Sequence, residues 1–196
     1  ASGRCGAPAR VSGCRRRGNY VVGIGFAIED GPEWYLPIRH DGGDNCEWDA
    51  WGYVQEQIRE FRGTIVGNGV QYDLDWLCQP NGEGSATRDA DHPVLKRPIM
   101  DVQNADVMIN ELHDRYNLEV LCERHGLPGK DETHLRQVAA LFRADPKIDL
   151  WRFRGRDVAA YGRVDARRPL QLLRRQEQLI QSEGVQSIWG LECKVT

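Results

Sequence analysis

The chain has 196 residues, a formal net charge of −3 and 40% hydrophobic content. That is the size of one domain with apolar material for its own core, and it excludes a wholly basic nucleic-acid coat. No apolar run approaches the roughly 18 residues that span a bilayer and no signal peptide is visible, so the chain reads as soluble and intracellular, with no membrane partner. Six cysteines (Cys5, Cys14, Cys46, Cys78, Cys122, Cys193) are scattered without a Cys-x-x-Cys, which argues against a disulfide framework.

Residues 1–19 begin with alanine, are rich in Gly, Arg and Ser, and lack a periodic apolar pattern. They are expected to be irregular, in a fragment whose true beginning lies upstream. Tyr20 to Ile28 is β-rich and apolar on both faces, which predicts a buried strand. A Glu29-Asp30-Gly31-Pro32 turn leads to a second strand over Trp34–Ile38, held toward an edge by Pro37. Asn45 or Asp49 can cap a helix carrying Trp51, Val54, Ile58 and Phe61. Thr64–Gly67 is a short strand, and Asn68-Gly69 turns it into a helix with Tyr72, Trp76 and Leu77 on its apolar side.

After a polar loop over 80–93, a strand ends at Asp101 and a helix runs through Leu112. Asn117 caps the next helix, which Gly126 ends, and Thr133–Ala144 is another. A long helix runs from Arg156 to about Ser182, with a bend expected at Pro169. Strands come early and helices late, which predicts an α/β fold with ligands beyond the carboxyl ends of its strands.

Asn68 and Asp73 fall at such an end. Taken alone, Asp73 is also what a solvated acid at a helix N-terminus looks like. Tyr161 and Asp165 stand at i and i+4 and share a helical face, with Ala159, Ala160 and Val164 nearby, so that face lies partly toward the core. A carboxylate buried there needs a cation or several donors, and either a divalent metal or a neighbouring arginine such as Arg168 meets that need. Arg154, Arg156 and Arg163, with Trp151 and Phe153 interleaved, read equally as a strand-gripping surface or as packed aromatics under a solvated face. Cys122 and His125 have a Cys-x-x-His spacing but no second ligand pair, so helix packing is the better reading.

Several stretches together carry a resemblance. They are Tyr20-Val-Val-Gly-Ile-Gly-Phe-Ala, Trp34-Tyr-Leu-Pro-Ile-Arg-His40, Val66-Gly-Asn-Gly-Val-Gln-Tyr-Asp-Leu-Asp-Trp-Leu77, Met100-Asp-Val-Gln-Asn-Ala105, Tyr116-Asn-Leu-Glu-Val-Leu121, Gly129-Lys-Asp-Glu132, Val158-Ala-Ala-Tyr-Gly-Arg-Val-Asp165 and Gly190-Leu-Glu192. In this order the chain resembles the 3′–5′ proofreading exonuclease domain of bacteriophage-type family A DNA polymerases, in the RNase H-like four-acid superfamily with a tyrosine in its last motif. The likeness implies an exonuclease-like domain over residues 20–192 and the start of a linker to a polymerase region at 193–196. It implies an RNase H-like mixed sheet flanked by helices.

By the same likeness, Asp73 and Asp165 would help hold two Mg²⁺ or Mn²⁺ ions about 3.5–4 Å apart, for an in-line displacement at phosphorus. Oxygen ligands suit these ions better than zinc. Tyr161 would orient the attacking water, and Asn68 and Leu77 would border the terminal nucleotide. The partners implied are the 3′ end of single-stranded DNA and the polymerase domain of the same parent chain, in the cytoplasm of a bacterial or phage-infected cell.

One departure stands against activity. The family's first motif, Asp-x-Glu on a strand just before Tyr20, has no match, and residues 1–19 contain no Asp or Glu. The first central strand is therefore expected to be missing, its neighbours' edges exposed, and the chain inactive as given. Two alternatives stay open: a non-catalytic domain that positions primer or braces the polymerase, and an RNA-trimming exonuclease of the same superfamily, since nothing separates ribose from deoxyribose.

Overall fold

In the computed structural model, which describes residues 2–6, 19–84, 89–129 and 131–195, three antiparallel strands form one sheet. They are β1 (Ser2–Gly6), β2 (Tyr20–Ala27) and β3 (Glu33–Pro37), in the order β1-β2-β3. Two parallel strands, β4 (Ile65–Gly67) and β5 (Ile99–Asp101), form another, with Gly67 opposite Asp101. The helices are α1 (Ala50–Glu60), α2 (Val70–Leu77), α3 (Val102–Ile109), α4 (Leu118–Arg124), α5 (Thr133–Leu141), α6 (Gly155–Ser182) and α7 (Gln186–Val195). The fold is the α/β class that the alternation of patterns predicts.

Local chemistry explains most boundaries. Asp49, not Asn45, caps α1, its Oδ1 accepting from the Gly52 amide at 2.8 Å. Asn45 instead brackets His40, accepting from its amide and donating to its carbonyl. Asn117 caps α4, and Gly126, at φ 63°, ends it in the left-handed conformation that glycine adopts without strain. Pro37 lies at the end of β3, and no described strand pairs with the outer side of β3, as its proline predicts.

Two elements differ from the sequence reading. Ser2–Gly6, expected to be irregular, is paired along β2 as β1, with a register irregularity between Arg4 and Cys5. Such pairing needs backbone groups, not a side-chain pattern, and it covers an edge of β2 that would otherwise be open. The strand carries no acid, so the missing Asp-x-Glu is not restored. Residues 186–195, within which Gly190–Glu192 resembled a junction and 193–196 the start of a linker, form α7. It docks Trp189 into the core and is tied to α3 by Asn104 Nδ2 donating to Glu192 Oε1 at 2.7 Å.

Three apolar clusters hold the elements together. Val21 and Ile24 of β2 meet Trp51 and Val54 of α1 and Leu74 and Trp76 of α2. Val102, Leu121, Leu172, Ile180 and Trp189 join α3, α4, α6 and α7. Leu135, Val138, Phe153, Val158 and Tyr161 join α5 to the start of α6. α6 runs unbroken through Pro169, lies against β1, β2, β3 and β4, and approaches the sheet at paired glycines.

Arg167 and Arg174 of α6 hold a turn of the sheet. Arg167 donates to Glu33 and to the carbonyls of Ile28 and Gly31, and Arg174 pairs with Glu29 and Asp30. Together they fasten the β2–β3 turn onto the helix.

Candidate nucleic-acid site

Asn68 occupies the two-residue turn between β4 and α2, with Gly69 beside it at φ 64°. Asp73 follows on the first turn of α2 and is only 6% exposed. On α6, Tyr161 is packed among the third cluster and Asp165, one turn further, is 1% exposed. Both helices border β1 and β4: α2 contacts these two strands, and α6 contacts them along with β2 and β3. The two acids are thus carried by elements that share the same pair of strands.

Leu77, expected to border the terminal nucleotide, lies in the core. It is 1% exposed inside the first cluster, and its carbonyl accepts from Gln55 Nε2 at 2.9 Å. It stands three residues after Leu74 on the same buried helical face, so its apolar side chain is spent on the core.

The aromatic and arginine stretch at the start of α6 is partly packed. Phe153 is fully buried with its ring 5.8 Å from that of Phe142, and Arg156 pairs with Asp44 at 3.0 Å. Phe153 is thus packed, while Trp151 is partly exposed and Arg154 and Arg163 are exposed. Cys122 is buried in the second cluster and His125 contacts Asp106, so neither forms a zinc site.

Sequence reasoning passed over Asp101, whose carboxylate gathers three backbone amides. Oδ1 accepts from Gly69 at 3.0 Å and Gln103 at 2.9 Å, and Oδ2 accepts from Val70 at 2.8 Å. The side chain is 4% exposed. Only its place at a strand end hinted at this, because the partners at 69 and 70 are distant in sequence.

A second buried carboxylate, Asp106 of α3, binds Arg124 at the end of α4, His125 just after it and Gln176 of α6. Burial pushes its carboxyl up, but hydrogen bonds from His125 and Gln176 and the charges of His125 and Arg124 outweigh that and hold it below the usual range.

Behind α6, the Tyr35 hydroxyl lies 2.8 Å from His40 Nε2, while His40 Nδ1 lies 3.2 Å from the Leu150 carbonyl. Nδ1–H donating to the carbonyl leaves Nε2 to accept from the phenol, which assigns a neutral tautomer. Burial lowers the His40 pKa and raises that of Tyr35, consistent with both groups being neutral.

The donor chemistry falls short of an ion cage. Among the described residues, no group of three or more His, Cys, Asp and Glu side chains is placed to hold a metal. Asp73 and Asp165 do not make a complete magnesium or manganese site, and no hydrolytic step is assigned to them alone.

No protein-family model matches the chain. It is 41% identical over 182 residues to a DNA-directed DNA polymerase of Pseudomonas phage M6, covering 92% of this chain and 26% of that protein. The chain is homologous to one segment of phage DNA polymerases. A more distant match, 25% identical over 203 residues, is to the DNA polymerase DpoZ of Vibrio phage phiVC8, over 94% of this chain and 29% of that one. The chain therefore spans between a quarter and a third of the length of these polymerase relatives. No helix of the described residues is long and apolar enough to cross a membrane.

Proposed function

We propose that this chain is a 3′–5′ exonuclease-type domain of a phage DNA polymerase. It would hold the 3′ end of single-stranded DNA near Asn68, Asp73, Tyr161 and Asp165, with hydrolysis requiring acids that residues 1–19 do not supply. The observation that carries this reading is the burial of both motif acids, Asp73 and Asp165, on two helices that border the same strands β1 and β4. The identity to a phage polymerase over 92% of the chain supports the polymerase context. The RNase H-like assignment rests on the motif resemblance, and Mg²⁺ or Mn²⁺ is the ion class that oxygen ligands would favour once the set is complete.

The test compares linear with circular single-stranded DNA by fluorescence anisotropy, in Mg²⁺ or Mn²⁺. Recognition of a 3′ terminus predicts tighter binding of the linear strand, weakened by Asn68→Ala and Asp165→Ala. Equal affinity for the two would sink the end-binding assignment. In the same buffers a 5′-labelled strand is expected to keep its length. Stepwise shortening that Asp165→Ala abolishes would overturn the expected inactivity and leave the exonuclease assignment standing.

A second reading, a domain that braces or positions primer without cutting, is favoured by the absence of a three-acid group among the described residues. It predicts strand binding that ignores the terminus.

A further inference from the structure

We infer that Asp101 is a positioning residue for the proposed strand-end site: its carboxylate fixes the turn from which Asn68 and Asp73 are presented. This rests on the exonuclease-type reading for its functional meaning, but the geometry stands by itself.

Asp101 closes β5 directly opposite Gly67, the last residue of β4. The chain then leaves β4 through Asn68 and Gly69 and enters α2 at Val70. A helix start leaves backbone amides without intrahelical acceptors, and one carboxylate here serves two such starts. Oδ2 takes the Val70 amide and Oδ1 takes those of Gly69 and Gln103, so α2 and α3 are both anchored to one side chain. Its negative charge faces the positive ends of both helices.

The consequence falls on the site residues. Asn68 is adjacent to Gly69, and Asp73 lies three residues beyond Val70, on the same first turn. α2 offers no side-chain cap of its own, because its N-cap is Gly69. The direction in which α2 leaves the sheet, and hence the place of the Asp73 carboxylate, depends on an acceptor supplied from β5. Asp101 touches neither strand nor ion in this scheme; it acts through the turn.

Asp101→Asn is the informative change because it keeps the shape. The amide nitrogen must stand where an acceptor stood, so at least one of the three hydrogen bonds is lost together with the charge. Asp106→Asn, in the α3–α4–α6 network, serves as a control for loss of a buried carboxylate away from the turn.

The experiment measures three quantities on the full chain: thermal midpoint, amide hydrogen exchange by NMR, and Mn²⁺ affinity by calorimetry. Asp101→Asn is expected to raise exchange at Gly69 and Val70 about tenfold or more, the factor that a lost bond to a charged group carries. It should also weaken Mn²⁺ by a similar factor. Asp106→Asn is expected to lower the midpoint with exchange at the turn and Mn²⁺ affinity unchanged. Unchanged exchange at Gly69 and Val70 in Asp101→Asn overturns the inference, as does raised exchange with unchanged Mn²⁺ affinity where Asp73→Ala itself weakens Mn²⁺.

If Asp73→Ala leaves the parent's Mn²⁺ affinity unaltered, it is the ion reading of the site that fails. The inference is then decided by the exchange rates together with the Asp73 carboxyl ¹³C shift. Movement of both in Asp101→Asn supports it, and constancy of either overturns it.

Discussion

Gly25 of β2 and Gly162 of α6 approach so closely that a Cβ on Gly25 would stand 2.3 Å from the Gly162 carbonyl oxygen. A Cβ on Gly162 would in turn meet the Tyr35 ring at 2.4 Å. These two positions set how deeply α6 sits on the sheet, and Tyr161 and Asp165 ride on that helix. Neither glycine has positive φ, so space rather than backbone conformation is the reason for it.

Gly25→Ala is therefore expected to destabilise the chain by about 2 kcal/mol or more, since the clash is with backbone that cannot swing aside. Gly162→Ala should cost somewhat less if the Tyr35 ring shifts. Urea midpoints of the two variants check the order. A Gly25→Ala protein as stable as its parent would show that α6 does not press on β2 as described.

Acid should weaken the fold in two stages. Burial lowers the pKa of His40 and of His92 below 6.5, so both histidines are held neutral. His92 is bound through Nε2 to Gln55 Oε1 at 2.9 Å, with Nδ1 accepting from Val94. The unfolded chain takes up protons first, so this contribution is whole above pH 6.5 and fades as pH falls toward the folded values. Asp106 has a folded pKa below 3.8, so its contribution is present above 3.8 and is lost only as pH falls further, through that folded value. Urea midpoints that are flat between pH 6.5 and the carboxylate range would contradict the first stage.

Arg167→Ala should loosen the β2–β3 turn more than Arg174→Ala. Arg167 is the more buried of the two and grips two carbonyls besides Glu33. A loss of about 1–2 kcal/mol is expected for Arg167, and a smaller one for the more exposed Arg174. Denaturation midpoints at low and high salt separate them, because the exposed pair should be screened away first.

Phe153→Ala removes a fully buried ring from the third cluster and should cost about 3–5 kcal/mol. Trp151, on the partly exposed side of the same turn, should tolerate alanine much better. If strand binding falls on Phe153→Ala while the thermal midpoint does not, the aromatic stretch has a role beyond packing.

The elements that local pattern could reveal were those with a signature in nearby residues. Gly69, Asn117 and Gly126 announce their turns and caps, and the apolar run from Tyr20 announces a strand. β1 was hidden because backbone pairing leaves no mark in Ser-Gly-Arg-Cys-Gly. α7 was hidden because its apolar face becomes meaningful only against α3 and α6. At the candidate site, the motif spacing gave Asn68, Asp73, Tyr161 and Asp165 their helices and turn. It could not say that Leu77 is consumed by the core, nor that a residue on β5 organises the turn after β4. Both facts depend on neighbours distant in the chain.

Pro169 has no N–H to close the ladder onto the carbonyl four residues before it, and that residue is Asp165. On one side of this gap α6 belongs to the cluster of Val158 and Tyr161; on the other it belongs to that of Leu172 and Ile180. Asp165 stands where the buried side chains of this one continuous helix pass from the third cluster to the second. The carbonyl that Pro169 leaves without its intrahelical donor thus belongs to the residue whose carboxylate the candidate site uses.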